Sequence, residues 1–335
     1  MKVLIKDVRQ ASPAEWDSIW QGCGYSTFFH SREWALTWQA YSKHSIEPDP
    51  LLVEFSDGLQ ALLPLSVHKS GKGMIRNYLS SPAGTYGGWI AASELGNEQT
   101  VLLTEHMCKL PGRLTWRLNP YDSLLSNIEL NCTQTDETHA INLLDGFDAV
   151  YKRWTKGHRS AAQQARKAGV VIRSATDQEQ WKEYFNVYED SLRRWGDSAT
   201  SRYSWELFHA LHGLNSENVK LWLALYENSI VAGALCLYAG KHVVYWHGAA
   251  LSEHFNLRPV NLLMYESISD ACQRGYQWFD FNPSGGHEGA KAFKKSFGTA
   301  SLPSNIISTA PRSLRLLDRL RSSAGTIQAR FKKHR

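Results

Sequence analysis

No run of about 18 uncharged apolar residues occurs in the 335-residue chain, which argues against a membrane-spanning helix. Cysteine is scarce: Cys23, Cys108, Cys132, Cys236 and Cys272 are odd in number, dispersed and never in Cys-x-x-Cys spacing. That excludes a zinc ribbon or a disulfide framework and fits a reducing compartment. Lys2 and Lys6 interrupt the only apolar stretch at the N-terminus, so export is not expected and the cytoplasm is the expected location. Acidic residues are absent from two stretches or nearly so. Residues 312–335 hold eight Lys and Arg against Asp318 alone, so the net charge of +5 leaves the preceding body at −2. A general polyanion binder is therefore excluded for the body. Residues 152–173 carry seven Lys and Arg and no acid. With 43% hydrophobic and 21% charged residues, the remainder reads as globular and long enough for two domains.

What is present is present twice. A short apolar run, a helix-capping signal and a tryptophan open each half: Val3–Val8, Ser12 to Glu15 and Trp16, then Val170–Arg173, Asp177 to Gln180 and Trp181. An apolar strand broken by a polar turn follows in each, at Asp57-Gly58 and at Glu227-Asn228. Each half then runs through a helix to an aromatic strand ending in Asn-Pro, Asn119-Pro120 and Asn282-Pro283. The tryptophans lie 165 residues apart and the Asn-Pro pairs 163, so one offset relates the landmarks and a duplicated unit is expected. The expected fold is α/β (mixed α+β), two tandem lobes, each a mixed, mostly antiparallel sheet flanked by helices. Boundaries follow at 1–150, 151–311 and 312–335, the last a basic tail that is amphipathic or disordered. A working site is expected where the lobes meet.

Local signals place the elements. Ser12, Pro13 and Glu15 form a capping box that starts a helix, and Trp34 and Trp38 share a face of the next one. Trp181, Phe185, Tyr188 and Leu192 fall at helical spacing before Gly196. Leu221–Tyr226, Ile230–Tyr238 and His242–Ala249 read as a meander, and a helix from Pro259 to Arg274 leads to the strand Trp278–Asn282.

This order resembles the GNAT acyltransferase fold, and more closely its FemAB-like branch with two such lobes in tandem. The segments carrying the resemblance are Leu59–Leu65, Tyr86–Gly88, Asn256–Leu263, Gly275–Asn282 and Phe293–Gly298. It implies transfer of an acyl group, with acyl-CoA as donor and no metal, to a small-molecule or lipid-linked amine in envelope or exopolysaccharide synthesis. Two departures matter. The helix start Arg258-Pro259-Val260-Asn261 lacks the spaced glycines that hold a pyrophosphate, and no long heptad insertion of the tRNA-dependent members is present. An aminoacyl-tRNA-dependent bridge-forming transferase and a catalytically silent scaffold are the competing expectations. The tail implies contact with an anionic membrane surface, hence a peripheral position on its inner face.

Acyl transfer to an amine needs a base, an oxyanion stabiliser and a proton for the leaving group. Asp280 is the first candidate base or amine anchor, because alternation puts it with Trp278 and Asn282 opposite Phe279 and Phe281. His247 and Tyr245 are expected on one face of their strand as base and acid, with Trp246 on the other as a substrate-binding residue. Lys294 and Lys295 are expected at substrate phosphate through the resemblance, projecting differently because Phe293 and Phe297 anchor their helix. Arg258, Glu266, Arg159 and Arg166 complete the substrate-binding set, the last two as a phosphate cradle.

Overall fold

The computed structural model describes residues 2–70, 75–127, 132–199 and 201–314. The rest of the basic tail lies outside the described residues. In chain order the first half forms β1 (Ile5–Gln10), α1 (Pro13–Gly22), α2 (Arg32–Tyr41), β2 (Ile46–Pro48), β3 (Leu51–Phe55), β4 (Gln60–Leu63), β5 (Ser66–Ser70), β6 (Ile75–Leu79), β7 (Tyr86–Gly87), α3 (Asn97–Cys108) and β8 (Arg113–Leu118). After a connecting strand β9 (Glu137–Asn142) come α4 (Phe147–Arg153), α5 (Lys156–Lys167), β10 (Val171–Ser174), α6 (Gln178–Trp195), α7 (Trp205–Gly213), β11 (Val219–Tyr226), β12 (Ser229–Ala239) and β13 (His242–Ala250). The chain closes with α8 (Pro259–Gln273), β14 (Trp278–Asp280), α9 (Glu288–Lys295), β15 (Ala300–Pro303) and β16 (Ile306–Thr309).

The duplication is real, down to its caps. Ser12 accepts from the Glu15 amide while Glu15 reaches back to the Ser12 amide, and Asp177 accepts from the Gln180 amide at the corresponding start of α6. In each half a β-hairpin leads through a helix to a parallel pair, β6 with β8 and β13 with β14. The halves differ in one respect. The second sheet is continuous, β10-β11-β12-β13-β14-β9-β15, whereas the first is split into β1-β3-β4 and β16-β8-β6-β5-β2. The break falls at Pro64, between β4 and β5, where a residue without an N–H cannot continue the ladder.

The division at residue 150 does not survive in the sheets. β9, from the first half, sits between β14 and β15 of the second sheet, while β16, from the end of the chain, pairs with β8 of the first. Each lobe is thus completed by a strand that the other half supplies. One apolar cluster also spans the lobes, joining Phe28, Phe29, Trp34 and Tyr86 to Tyr184, Phe208 and Leu237. Among the described residues no helix is long and apolar enough to cross a membrane.

Candidate functional site

Where the parallel pairing of β13 with β14 stops, at Val244 and Asp280, the strands part. A cavity of about 570 Å³ opens there between the lobes. Ala83, Gly84, Thr85 and Arg117 form its first-lobe wall. Tyr188, Trp195, Tyr203, Trp246 and His247 form an aromatic wall opposite, and Asn282 to Gly285 with His287 and Lys294 form the floor. No carboxylate is among these lining residues.

A bulge decides which side chains reach the cavity. His247 pairs with Leu235 and Tyr245 with Cys236, so Trp246 is the extra residue and the alternation shifts by one. His247 and Tyr245 therefore lie on opposite faces, which corrects the expectation from simple alternation. His247 faces the cavity, surrounded by Tyr188, Phe208 and Tyr203, with its Nδ1 2.8 Å from the Tyr184 hydroxyl. Burial lowers its imidazole to about 3, so it is neutral near pH 7 and a poor base for an ammonium. Tyr245 packs on the far face against Phe281, and burial raises its phenol. Trp246 lies between Trp34 and Tyr203, where it forms part of the cavity wall.

Asp280 is not at the cavity surface. Its carboxylate is fully buried and accepts four hydrogen bonds: Thr138 Oγ1 (2.6 Å) and the Asn282 amide (2.6 Å) on Oδ1, Tyr86 OH (2.9 Å) and Tyr121 OH (2.6 Å) on Oδ2. Burial raises this carboxyl while the donors oppose the shift. With both oxygens already engaged, it has no capacity to take a proton from a bound amine, which corrects its assignment as the base.

Lys294 is the charged group that the fold delivers to the cavity. It is 8% exposed, and its Nζ donates to the Asn282 carbonyl at 2.6 Å. Burial lowers its ammonium to about 8, against the opposing pull of Asp280 and Asp136. Lys295, one residue on, is exposed and points elsewhere, as the anchoring of α9 by Phe293 and Phe297 requires. The other cation on the wall, Arg117, is held by Asp136 (2.8 Å), the Ser304 carbonyl (3.0 Å) and the Gly84 carbonyl (2.6 Å).

The remaining expected residues lie away from the cavity. Arg159 donates to the carbonyls of Lys152 and Trp154, and Arg166 pairs with Glu266 at 2.7 Å while covering the Tyr265 ring. The Arg159 contacts fasten α5 to the end of α4 and the Arg166 contacts tie α5 to α8, so the two do not form a phosphate cradle. Because the Arg166–Glu266 pair is solvent-exposed, Arg166→Ala should change unfolding free energy by no more than about 1 kcal/mol and leave turnover unaltered, as urea denaturation and initial rates would show. Arg258 is exposed, in the left-handed region (φ 56°), just before Pro259. At this helix start Pro259 has no N–H, the Asn261 amide already bonds the Arg258 carbonyl, and the Asn261 side chain bonds His158. The arrangement is a poor cradle for the pyrophosphate of coenzyme A.

Several lining residues had no sequence signal that singled them out. Tyr188 reads as one more apolar position of α6, and Ala83 gives no hint that it adopts φ 59°. The Pro283–Gly289 loop was legible as a place where a ligand approaches the backbone. Asn282 Oδ1 and Ser284 Oγ, buried beside the cavity without a hydrogen-bond partner among the described residues, were not.

Residues 152–295 match the model of the Acetyltransferase (GNAT) domain family. Residues 152–295 thus carry the sequence pattern of a GNAT-type acyltransferase domain. The chain as a whole shares its fold with FemX (TM-score 0.71, 14% identity, 94% of this chain and 99% of that one). It is similar too to the C-terminal domain of a putative lysylphosphatidylglycerol synthetase from Agrobacterium fabrum (TM-score 0.58, 12% identity, 92% and 96%) and to L-PGS from Bacillus licheniformis (TM-score 0.56, 11% identity, 92% and 95%). No curated protein matches the sequence. Among the described residues no cluster of His, Cys, Asp or Glu could hold a metal ion.

Proposed function

We propose that the chain transfers an activated acyl group to an uncharged amine in the cavity between its lobes, with Lys294 stabilising the oxyanion. The observation that carries this reading is a largely buried ammonium in a cavity whose lining residues include no carboxylate. Among the described residues its Nζ spends one hydrogen on the Asn282 carbonyl, which leaves two for a ligand. The amine nitrogen attacks the carbonyl carbon, and negative charge grows on the carbonyl oxygen, where Lys294 meets it. As the tetrahedral centre collapses, the bond to the donor's thiol or hydroxyl oxygen breaks, and the proton lost by the amine ends on that leaving atom. An amine that entered as ammonium would find no counter-charge on the walls, so it enters neutral.

The aromatic wall of Tyr188, Trp195, Tyr203 and Trp246, beside the polar atoms of Asn282 and Ser284, suits the ring of an amino sugar, as in precursors of an envelope polymer. The basic tail, with eight Lys and Arg, would bring such a site to an anionic membrane carrying a lipid-linked acceptor. For the donor, the poor pyrophosphate cradle at the start of α8 favours a second reading over acyl-CoA: an aminoacyl ester, as on a charged tRNA. One of the structural neighbours is named as a putative synthetase of lysylphosphatidylglycerol, an aminoacylated lipid.

Thermal denaturation with acetyl-CoA, longer acyl-CoAs and aminoacyl-tRNA separates the donors. A true donor at a hundred times its Kd should stabilise the native protein by about 2.7 kcal/mol. Stabilisation by acyl-CoA and not by charged tRNA would reject the second reading. No stabilisation by any of the three, with no acyl label appearing on an amine acceptor, would reject transfer altogether.

A further inference from the structure

We propose that Asp280 is a positioning residue: it fixes the turn at Asn282 and, through that turn, holds Lys294 in the cavity, so that docking of the two lobes and assembly of the reactive ammonium are one event. The inference rests on the reading of Lys294 given above, but its test observes the lysine itself and needs no substrate.

The chain of contacts is short. Asn282 takes up φ 60°, a left-handed conformation that costs energy for a residue other than glycine and needs to be held. Asp280 Oδ1 holds it by accepting the Asn282 amide at 2.6 Å. In that conformation the Asn282 carbonyl accepts the Lys294 Nζ, also at 2.6 Å. The other three donors to Asp280 do not come from its own half of the chain. Tyr86 and Tyr121 belong to the first lobe, and Thr138 lies on β9, the strand supplied to the second sheet. A buried carboxylate without such partners would cost several kcal/mol, so the acid is tolerable only once the lobes have docked. The turn that it holds is therefore complete only in the docked molecule.

The charge of Asp280 acts on Lys294 as well as its geometry. The groups acting on the Lys294 ammonium are Asp280 from β14 and Asp136 from the segment before β9, both favouring the charged form, while His139 from β9 and Lys294 each disfavour a proton on the other. Arg117 and His287 share the cavity wall. Taking away the negative charge at 280 leaves desolvation less opposed, so the amine should lose its proton at lower pH. Simple loosening of the site would do the reverse, because a solvated lysine returns toward 10.5.

Trace acetylation of the full-length protein with acetic anhydride, read by peptide mass spectrometry, measures this directly, with the exposed Lys295 as internal reference. For each lysine the rate at pH 7 is divided by its own plateau rate at high pH, so that accessibility cancels. In Asp280→Asn the Lys294 fraction should rise by about threefold, equivalent to a midpoint about half a pH lower, while that of Lys295 stays constant. An unchanged Lys294 fraction in the folded variant would overturn the proposal, whereas a smaller one would show the lysine released to water as the turn is lost. Should Asp280→Asn fail to fold, hydrogen exchange in the wild-type protein decides. The Asn282 amide should exchange at least about a hundredfold more slowly than the amide of Gly285 in the same loop. Equal rates would show that no carboxylate holds the turn.

Discussion

Ile307→Asp should unfold both lobes together. Ile307 lies on β16, opposite Trp116 of β8, and is 3% exposed within the core of the first lobe. An aspartate there would be an uncompensated buried charge, and the lost side chain would leave a cavity. Truncation of a buried isoleucine alone costs about 2–5 kcal/mol, and the charge adds several more. That total is comparable with the whole stability of an ordinary domain. The damage should not stop at the first lobe, because β9 and β16 cross in opposite directions and the cluster around Phe29, Trp34 and Leu237 belongs to both. Urea unfolding of the wild type should accordingly be one transition, coincident by tryptophan fluorescence and far-ultraviolet circular dichroism. Ile141→Asp on β9, 1% exposed in the second lobe, should have the same global effect. Two separable transitions, or a variant with only one lobe lost, would contradict the account of exchanged strands.

That exchange is also where sequence reasoning reached its limit. The duplicated order of elements was legible because caps, turns and apolar runs are local: Ser12 with Glu15, Asp57-Gly58, Gly196 and the two Asn-Pro pairs each act over a few residues. Which sheet a strand joins is a long-range choice. Nothing in Glu137–Asn142 or Ile306–Thr309 distinguishes a strand that stays from one that crosses. The candidate site shows the same division. Alternation placed Asp280 opposite Phe279 correctly, but its four partners come from Tyr86, Tyr121, Thr138 and Asn282, three of them about 140 to 190 residues away in sequence. Alternation failed at Tyr245 and His247 because a bulge adds one residue and reverses every facing beyond it, and a bulge without glycine has no composition of its own. Lys294 stood out only through its segment, whereas its burial and its bond to the Asn282 carbonyl depend on a turn twelve residues earlier.

Lys294→Met should abolish most activity and yet make the protein more stable. Methionine fills nearly the same volume but carries no charge, so the oxyanion loses its cation, and removal of one such donor costs about a hundred- to a thousandfold in turnover. If Lys294 acts on the transition state, kcat should fall with little change in KM. The stability argument has a definite sign. In the unfolded chain the amine holds its proton to about 10.5, but in the folded protein only to about 8. Between those values the unfolded state binds more protons, so wild-type stability rises with pH across that window; below it the full penalty of about 3 kcal/mol is present. Methionine carries no such penalty but leaves the Asn282 carbonyl without its donor, at a cost of about 1–3 kcal/mol. The expected net gain at pH 7 is about 0–2 kcal/mol, shrinking as the pH is raised from 8 toward 10.5, because only the wild type gains there. Chemical denaturation of both proteins at pH 7 and pH 10, beside steady-state kinetics, reads both effects. Wild-type turnover in the variant would remove Lys294 from the chemistry, and a stability difference independent of pH would show that its amine is not desolvated in the folded protein. Loss of turnover together with a pH-dependent gain in stability is what a cation held out of water for the reaction requires.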